Sequence, residues 1–125
     1  MTRRAVRAAA LAAALGAVAC RQGQDELARA LTGGDPDRGR LAIRHHGCGA
    51  CHDIPGVGGA VASVGPPLGG LARRSYLAGR LPNTTDNLIR WIRDPQGVVP
   101  GNAMPPLGIS EPDGRDIAAY LYTLR

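Results

Sequence analysis

The amino-acid sequence predicts an all-α fold with about three main helices. Three segments begin with a capping residue and carry apolar side chains at helical spacing, whereas no segment alternates as a β-strand does. The chain has 125 residues, with 18 Gly, 10 Pro, no Phe and one Trp. Because so short a chain has few large side chains with which to fill a core, we expect another apolar group to fill it.

Each predicted helix has a recognisable start or end. Asp35 followed by Pro36 is a typical N-cap with a proline in the first turn, and prolines or glycines follow the helices. The Gly- and Pro-rich segment from Asp53 to Gly70 is expected to be a loop. We therefore place the helices at residues 35–46, 85–93 and 110–124.

The first 19 residues have the features of a secretory signal peptide. Arginines precede an Ala-rich stretch over residues 8–19, which alone is shorter than the about 20 residues that span a bilayer. Ala17-Val18-Ala19 then precedes Cys20 as in a cleavage site. We expect export, with residues 20–34 as a polar tether holding at most a short frayed helix over 24–31, and residues 35–125 as one domain.

Cys20 allows two outcomes of that cleavage. Small residues before a cysteine resemble a lipobox, in which Cys20 is acylated, whereas ordinary cleavage leaves the cysteine in an unmodified tail. A free thiol at the N-terminus of an exported protein is prone to oxidation, and we therefore favour acylation. The domain would then lie on the periplasmic side of a bacterial membrane, lipid-anchored, and would otherwise be soluble in the periplasm.

The pentapeptide CGACH at residues 48–52 carries the most specific chemical signal. Two thiols flanking two small residues, followed by an imidazole, form the c-type haem attachment pattern. One turn of backbone lets Cys48 and Cys51 form thioethers to one porphyrin and brings His52 beneath the iron as proximal ligand. The sequence predicts one covalent haem c, which would fill the core, so that the haem-free chain should be largely unfolded.

Two other interpretations of the pentapeptide are weaker. A structural zinc site usually takes four ligands from separated pairs, but no Cys or His follows His52, and recruiting His45 or His46 would strain the site. A thioredoxin-like dithiol requires a preceding strand, and the surrounding residues contain no strand-like run.

Met104 is the candidate for the second axial ligand. Removal of the signal peptide removes Met1, so that Met104 is the one methionine left, and it lies in the proline-stiffened stretch PGNAMPP. A core methionine usually lies on a helix face instead. A thioether opposite histidine favours ferrous iron and raises the reduction potential. His45 and His46 are poorly placed to reach the opposite face of a haem bound at the same segment.

Net charge argues against nucleic acid as a partner. All 15 cationic residues are arginines, but three precede Cys20, which leaves 12 against 10 acidic residues. Between residues 54 and 103 arginines outnumber acidic residues, and this modestly basic face could steer an acidic redox partner. A plain solvated surface, with one or two arginines pairing haem propionates, is the alternative.

These residues together resemble a class I cytochrome c. The resemblance rests on Gly39, the CGACH motif, Gly65-Pro66, Trp91, Met104-Pro105 and a closing helix with Tyr120. From residue 65 onward, the stretches LPNT, WIRDPQ and PGN are more narrowly similar to the cytochrome c domain appended to subunit II of bacterial haem-copper oxidases. The sequence shows neither the copper-binding nor the membrane-spanning portion of an oxidase subunit, so we expect that it is not itself a subunit II, whereas a role in serving such an oxidase stays open.

The resemblance implies further roles. Pro66 matches the proline whose carbonyl accepts a hydrogen bond from the proximal imidazole. Gly39 matches the glycine at which the first and last helices cross, beside Tyr120. Haem-propionate contacts would fall at Trp91, Arg73 and Arg74, although Trp91 could simply be a core residue. Pro67 departs from the family pattern, in which an acidic or amide residue is common.

An iron held by His52 and Met104 has no open position, which favours one-electron transfer over catalysis. We therefore expect an exported electron carrier of a respiratory chain, not an enzyme, that exchanges electrons with a terminal oxidase or a quinol:cytochrome c reductase. A fixed subunit of a dehydrogenase or oxidase complex is one alternative, and a haem sensor or peroxidase with a labile Met104 is another.

Overall fold

The computed structural model describes residues 3–125, so that the first two residues of the predicted signal peptide lie outside it. Single helical turns of 3-10 type lie at Cys48–Ala50 and Leu71–Arg73. The regular elements are α1 (Arg3–Thr32), α2 (Pro36–His45), β1 (Tyr76–Leu77), β2 (Leu81–Pro82), α3 (Thr85–Arg93), α4 (Pro95–Val98) and α5 (Glu111–Thr123).

The three predicted helices correspond to α2, α3 and α5, and each begins at a capping side chain. Asp35 accepts hydrogen bonds from the backbone N–H groups at the start of α2, Thr84 does so for α3, and Ser110 for α5. Pro95 follows α3, as expected, but it also opens the short helix α4, for which Asp94 is the cap.

Helix α1 differs from the expected polar tether with a short frayed helix. It continues unbroken past Cys20, and Ala28 and Thr32 are each only 1% exposed because its last turns pack on α5. The Thr32 hydroxyl donates to the Ala28 carbonyl and accepts from the Gly34 N–H, and Arg115 Nη1 donates to the Thr32 carbonyl at 3.1 Å. These partners satisfy polar groups that a frayed helix end would expose to water.

The unbroken helix also changes how the apolar stretch can be interpreted. Over Ala5–Thr32, with a mean hydropathy of 1.2 in its most apolar part, α1 is long and apolar enough to cross a membrane, although the Ala-rich stretch alone is not. A signal sequence near the N-terminus has the same properties. Helix α1 is therefore compatible with either a signal sequence or an anchor.

Helices α2 and α5 cross closely, and their contact organises the domain. A Cβ at Gly39 would overlap the backbone of Asp116 and lie 3.0 Å from the Cβ of Tyr120, so only glycine permits this approach. Nearby, the buried carboxylate of Asp116 accepts two hydrogen bonds from Arg38, at 2.8 and 3.0 Å, and one from the Asp35 N–H. The start of α2 is thereby fixed to α5.

The core lies between these helices, α3 and the loop before it. It is aliphatic apart from Tyr120, and its largest fully buried apolar side chains include Ile43, Ile54, Leu88 and Ile117. Two strands that the sequence did not predict, β1 and β2, form a small antiparallel hairpin in which Leu77 pairs with Leu81. Strands of two residues are too short to show an alternating pattern.

Candidate functional site

A single helical turn after α2 brings the three residues of the attachment motif together. Gly47, with φ +71°, ends α2 in a left-handed conformation that favours glycine. The backbone N–H groups of Cys51 and His52 then both donate to the Cys48 carbonyl, at 3.2 and 3.1 Å. These two bonds close a compact turn that contains Cys48, Cys51 and His52.

Both cysteines of the turn are free thiols. Cys48 packs against the core, and its burial raises the pKa of its thiol, whereas Cys51 is half-buried. Within residues 3–125, no group of three or more Cys, His, Asp or Glu side chains is arranged to hold a metal ion. This arrangement gives no support to the zinc interpretation.

The imidazole of His52 is oriented by a hydrogen bond to the loop that follows. Its Nδ1 lies 2.7 Å from the Pro66 carbonyl oxygen, and because a carbonyl can only accept, Nδ1 carries the proton. A metal-binding imidazole with its proton on Nδ1 has its lone pair on Nε2, so Nε2 is the nitrogen left to bind a metal.

Gly65 allows the loop to lie directly on the imidazole. A Cβ at this position would be 2.5 Å from His52 Cε1 and 2.8 Å from Nδ1, and the Gly65 N–H donates to the Cys51 carbonyl at 2.7 Å. A side chain at position 65 would therefore displace the ring from Pro66.

Arg74 stabilises the same loop from its other side. Its Nη2 donates to the carbonyls of Pro67 and Gly69, the latter at 3.2 Å. Sequence reasoning placed Arg74 at a haem propionate and missed these bonds. Pro66 and Pro67 are adjacent and neither has an N–H, which was the available signal that the carbonyls around them take donors from elsewhere.

The other predicted contacts lie on neighbouring elements. Arg73 ends the helical turn Leu71–Arg73 and is exposed, and Trp91 is half-buried on α3. Their roles at a haem propionate stay predictions. His46 is not available as a ligand in this arrangement, since its Nε2 lies 3.0 Å from Asp113 Oδ2, and His45 is exposed.

Met104 lies on a separate loop, after α4. It is half-buried and lies outside the hydrophobic core cluster. Its backbone N–H donates to Asn102 Oδ1 at 2.7 Å and its carbonyl accepts from Gln96 Nε2 at 2.9 Å. Both polar backbone atoms of Met104 are thus hydrogen-bonded, and these bonds do not involve its thioether side chain.

These residues fit a covalently bound haem. Two free thiols on one turn match two thioethers, and an imidazole nitrogen with a thioether sulfur is a ligand pair that haem iron accepts. The glycine that lies against His52 lets the ring stand where a bulkier neighbour would displace it. Cys48, Cys51, His52 and Met104 would hold the group.

The chain belongs to the cytochrome c family, since the family model for cytochrome c matches residues 37–125. It is a class I cytochrome c and therefore a haem electron-transfer protein, and membership implies haem c. The chain is similar to the cytochrome c oxidase subunit 2 of Alkalihalophilus pseudofirmus, with 38% identity over 90 residues.

A second relative is the cytochrome c oxidase subunit 2 of Bacillus sp. (strain PS3), with 35% identity over 65 residues. The first match covers 71% of this chain and 25% of the relative, and the second covers 50% and 18%. The chain thus spans about a quarter or less of the length of the relatives it matches. The resemblance to the cytochrome c part of an oxidase subunit II is confirmed.

Proposed function

We propose that this protein is an exported monohaem c-type cytochrome that transfers single electrons in a respiratory chain. Cys48 and Cys51 bind one haem covalently, and His52 and Met104 are its axial ligands. The hydrogen bond from His52 Nδ1 to the Pro66 carbonyl is the observation that carries the proposal. It fixes the tautomer in which Nε2 can bind iron, and it makes the ring a better electron donor.

The two ligands determine the kind of chemistry. When bound, haem supplies an iron that is reversibly oxidised and reduced by one electron. With His52 and Met104 both engaged, the chain leaves no coordination position for peroxide or oxygen, so that it acts as a carrier and not as an enzyme. A ligand set that is the same in both oxidation states requires little rearrangement during transfer.

The partner we propose is a terminal oxidase, with a quinol:cytochrome c reductase as the electron donor. Two observations support this choice: both relatives are named cytochrome c oxidase subunit 2, and Arg73, Arg80, Arg90 and Arg93 are exposed. Exposed positive charge speeds association with an acidic partner and makes the rate salt-dependent. The names of the relatives equally favour a second candidate, a fixed subunit of an oxidase complex, which co-purification of the complex would establish.

We further propose that the protein is held on the periplasmic side of the membrane through acylation at Cys20. Cys20 lies exposed on α1, where a modifying enzyme could reach it. Retention of the whole of α1 as an anchor is the alternative that its length supports. Mass spectrometry of the mature N-terminus distinguishes the two, because a mature lipoprotein would begin at an acylated Cys20, whereas an anchor would retain the residues before it.

The proposal is tested by visible spectra of both oxidation states, recorded on protein from a strain that attaches haem. We expect a low-spin spectrum with the weak far-red ferric band of sulfur coordination, and pigment that stays with the denatured chain in acidified organic solvent. Met104→Ala should lose that band and bind carbon monoxide rapidly, whereas Leu107→Ala, at an exposed position on the same loop, should not. Extractable pigment, or a Met104→Ala spectrum like the wild type, contradicts the proposal.

A further inference from the structure

We propose that Gln96 and Asn102 are positioning residues that hold Met104 in place for the iron. This inference rests on the proposed function, in which Met104 is a ligand. Neither residue touches the haem in this scheme. Each acts on the backbone of the Met104 loop, and together they determine whether the sixth coordination position stays closed.

Gln96 spans the loop from one side. Its Nε2 donates to the carbonyls of Asn102 and Met104, both at 2.9 Å, and its Oε1 accepts from the Gly101 N–H at 3.0 Å. One amide on helix α4 therefore binds three residues of the loop. Three of the four hydrogen bonds that a side-chain amide can form are therefore made to the loop.

Asn102 holds the same loop from within. Its Nδ2 donates to the carbonyls of Pro95 and Val99, at 2.8 and 2.6 Å, and its Oδ1 accepts from the Met104 N–H at 2.7 Å. The two amides thus form six hydrogen bonds within the segment from Pro95 to Met104. Both side chains are half-buried, where such bonds are less exposed to competing water than at the surface.

Two of these bonds hold the backbone of Met104 itself, and the other four hold residues that precede it. Met104 is half-buried and lies outside the hydrophobic core cluster, so core packing does not account for holding it in place. Fixing a backbone before binding reduces the entropy that must be lost when the ligand engages. A thioether is a weak ligand, and the stability of its bond depends strongly on this reduction.

The test compares full-length holo-protein variants. Gln96→Glu keeps the shape of the side chain but replaces two N–H donors by an oxygen that faces two carbonyls. Asn102→Asp likewise loses both donors and retains the acceptor for Met104. Asn87→Asp is the matched control, because Asn87 donates a single bond, to the Pro82 carbonyl, outside the loop.

Gln96→Glu should raise the rate of carbon monoxide binding to the ferrous protein by about tenfold or more and weaken the far-red ferric band, since it removes two hydrogen bonds. Asn102→Asp should act in the same direction, and Asn87→Asp should change the rate by less than about twofold. Wild-type rates and bands in both loop variants would overturn the inference. A merely structural role would lower the thermal stability without opening the iron.

Hydrogen exchange in the wild-type holo-protein provides a measurement that needs no variant. The Met104 amide, bonded to Asn102, should be protected relative to that of its neighbour Ala103, and equal exchange of the two would overturn the inference. Failure of the proposed function gives a different result: the wild type would then lack the sulfur band and Met104→Ala would change nothing.

Discussion

At the scale of single residues, the site depends on contacts that leave no room for larger side chains. His52 is held between the Pro66 carbonyl and the backbone of Gly65, and Gly49 lies against Ala60, where a Cβ would come within 2.8 Å of the Ala60 Cβ. The position of the imidazole therefore depends on Gly65 as much as on the hydrogen bond to Pro66.

Gly65→Ala should displace the imidazole, because the added Cβ would lie 2.5 Å from His52 Cε1. We expect a loss of about 1–3 kcal/mol in the free energy of unfolding. The reduction potential should rise, since a weaker bond to Pro66 makes the ring a poorer electron donor. Gly58→Ala, where a Cβ meets nothing within 4 Å, is the control. Equal stability and potential in the two variants would contradict this geometry.

Asp113 should contribute to stability in a pH-dependent way. The hydrogen bond from His46 lowers the pKa of the Asp113 carboxyl below its ordinary value. A carboxylate with a depressed pKa in the folded state stabilises the fold above the unfolded-state value, and that stability is lost as pH falls through that value and below. Asp113→Asn should therefore reduce the acid-side loss of stability, measured by thermal unfolding of the holo-protein between pH 3 and 6.

The control for this experiment is Asp86→Asn, since Asp86 is exposed and none of the ion pairs found in residues 3–125 includes it. If Asp86→Asn altered the loss of stability at acid pH as much as Asp113→Asn does, the His46 contact would not be responsible for it.

The end of α2 at Gly47, directly before the CGACH segment, was predictable because the glycine is a local signal, and the roles of the two cysteines and His52 at a haem stay predictions. The contacts of Arg74, Gln96 and Asn102 were not predictable, since each depends on where a loop passes in space. Their side chains could equally have faced water. The Pro66 contact was anticipated through a family resemblance, and the structure contains the hydrogen bond.

At the scale of elements, the contact between α2 and α5 organises the domain. It is close enough that a single added methyl group cannot be accommodated at Gly39, and the Arg38–Asp116 pair lies beside it. The turn that carries the cysteines follows directly from the end of α2, so a shift of this helix would move the whole attachment motif.

Gly39→Ala should destabilise the holo-protein by about 1–3 kcal/mol, or prevent folding, because its Cβ would overlap the Asp116 backbone. Denaturant unfolding followed by absorbance measures the change. Gly23→Ala, on α1 with open space around the new Cβ, should leave the domain at least as stable as the wild type. Equal denaturant midpoints for Gly39→Ala and the wild type would show that α2 and α5 can move apart without loss of stability.

The elements that the sequence predicted have signals in their own residues. Caps at Asp35, Thr84 and Ser110 and the proline after α3 specify helix ends without reference to the rest of the fold. The docking of α1 on α5 could not be predicted in this way. It depends on Thr32 and Arg115, which lie 83 positions apart in the chain.

At the scale of the whole molecule, the aliphatic core is small. Tyr120 is the one aromatic residue among the buried residues of the core cluster. The cluster is flanked by side chains that stay half-buried, among them Cys48, Leu68 and Leu81. A domain of this size with so little buried aromatic surface is marginal without a further apolar group.

The haem-free chain should therefore lack a cooperative thermal transition. We expect protein from cells that do not attach haem to show reduced helicity by circular dichroism and gradual unfolding, whereas the holo-protein should unfold in one step. Both should be measured at the same concentration and pH. A sharp transition in the haem-free chain would show that the polypeptide alone supplies enough buried surface.

The packed end of α1 has a consequence for how the domain meets its partners. From Cys20 to Thr32 a continuous helix rises by about 18 Å, at 1.5 Å per residue. A lipid group at Cys20 would keep the domain within about this distance of the bilayer, because a helix does not extend as a flexible chain of the same length does. Encounters with other membrane proteins would then occur by lateral diffusion in two dimensions, and electron exchange would be limited to sites within that distance.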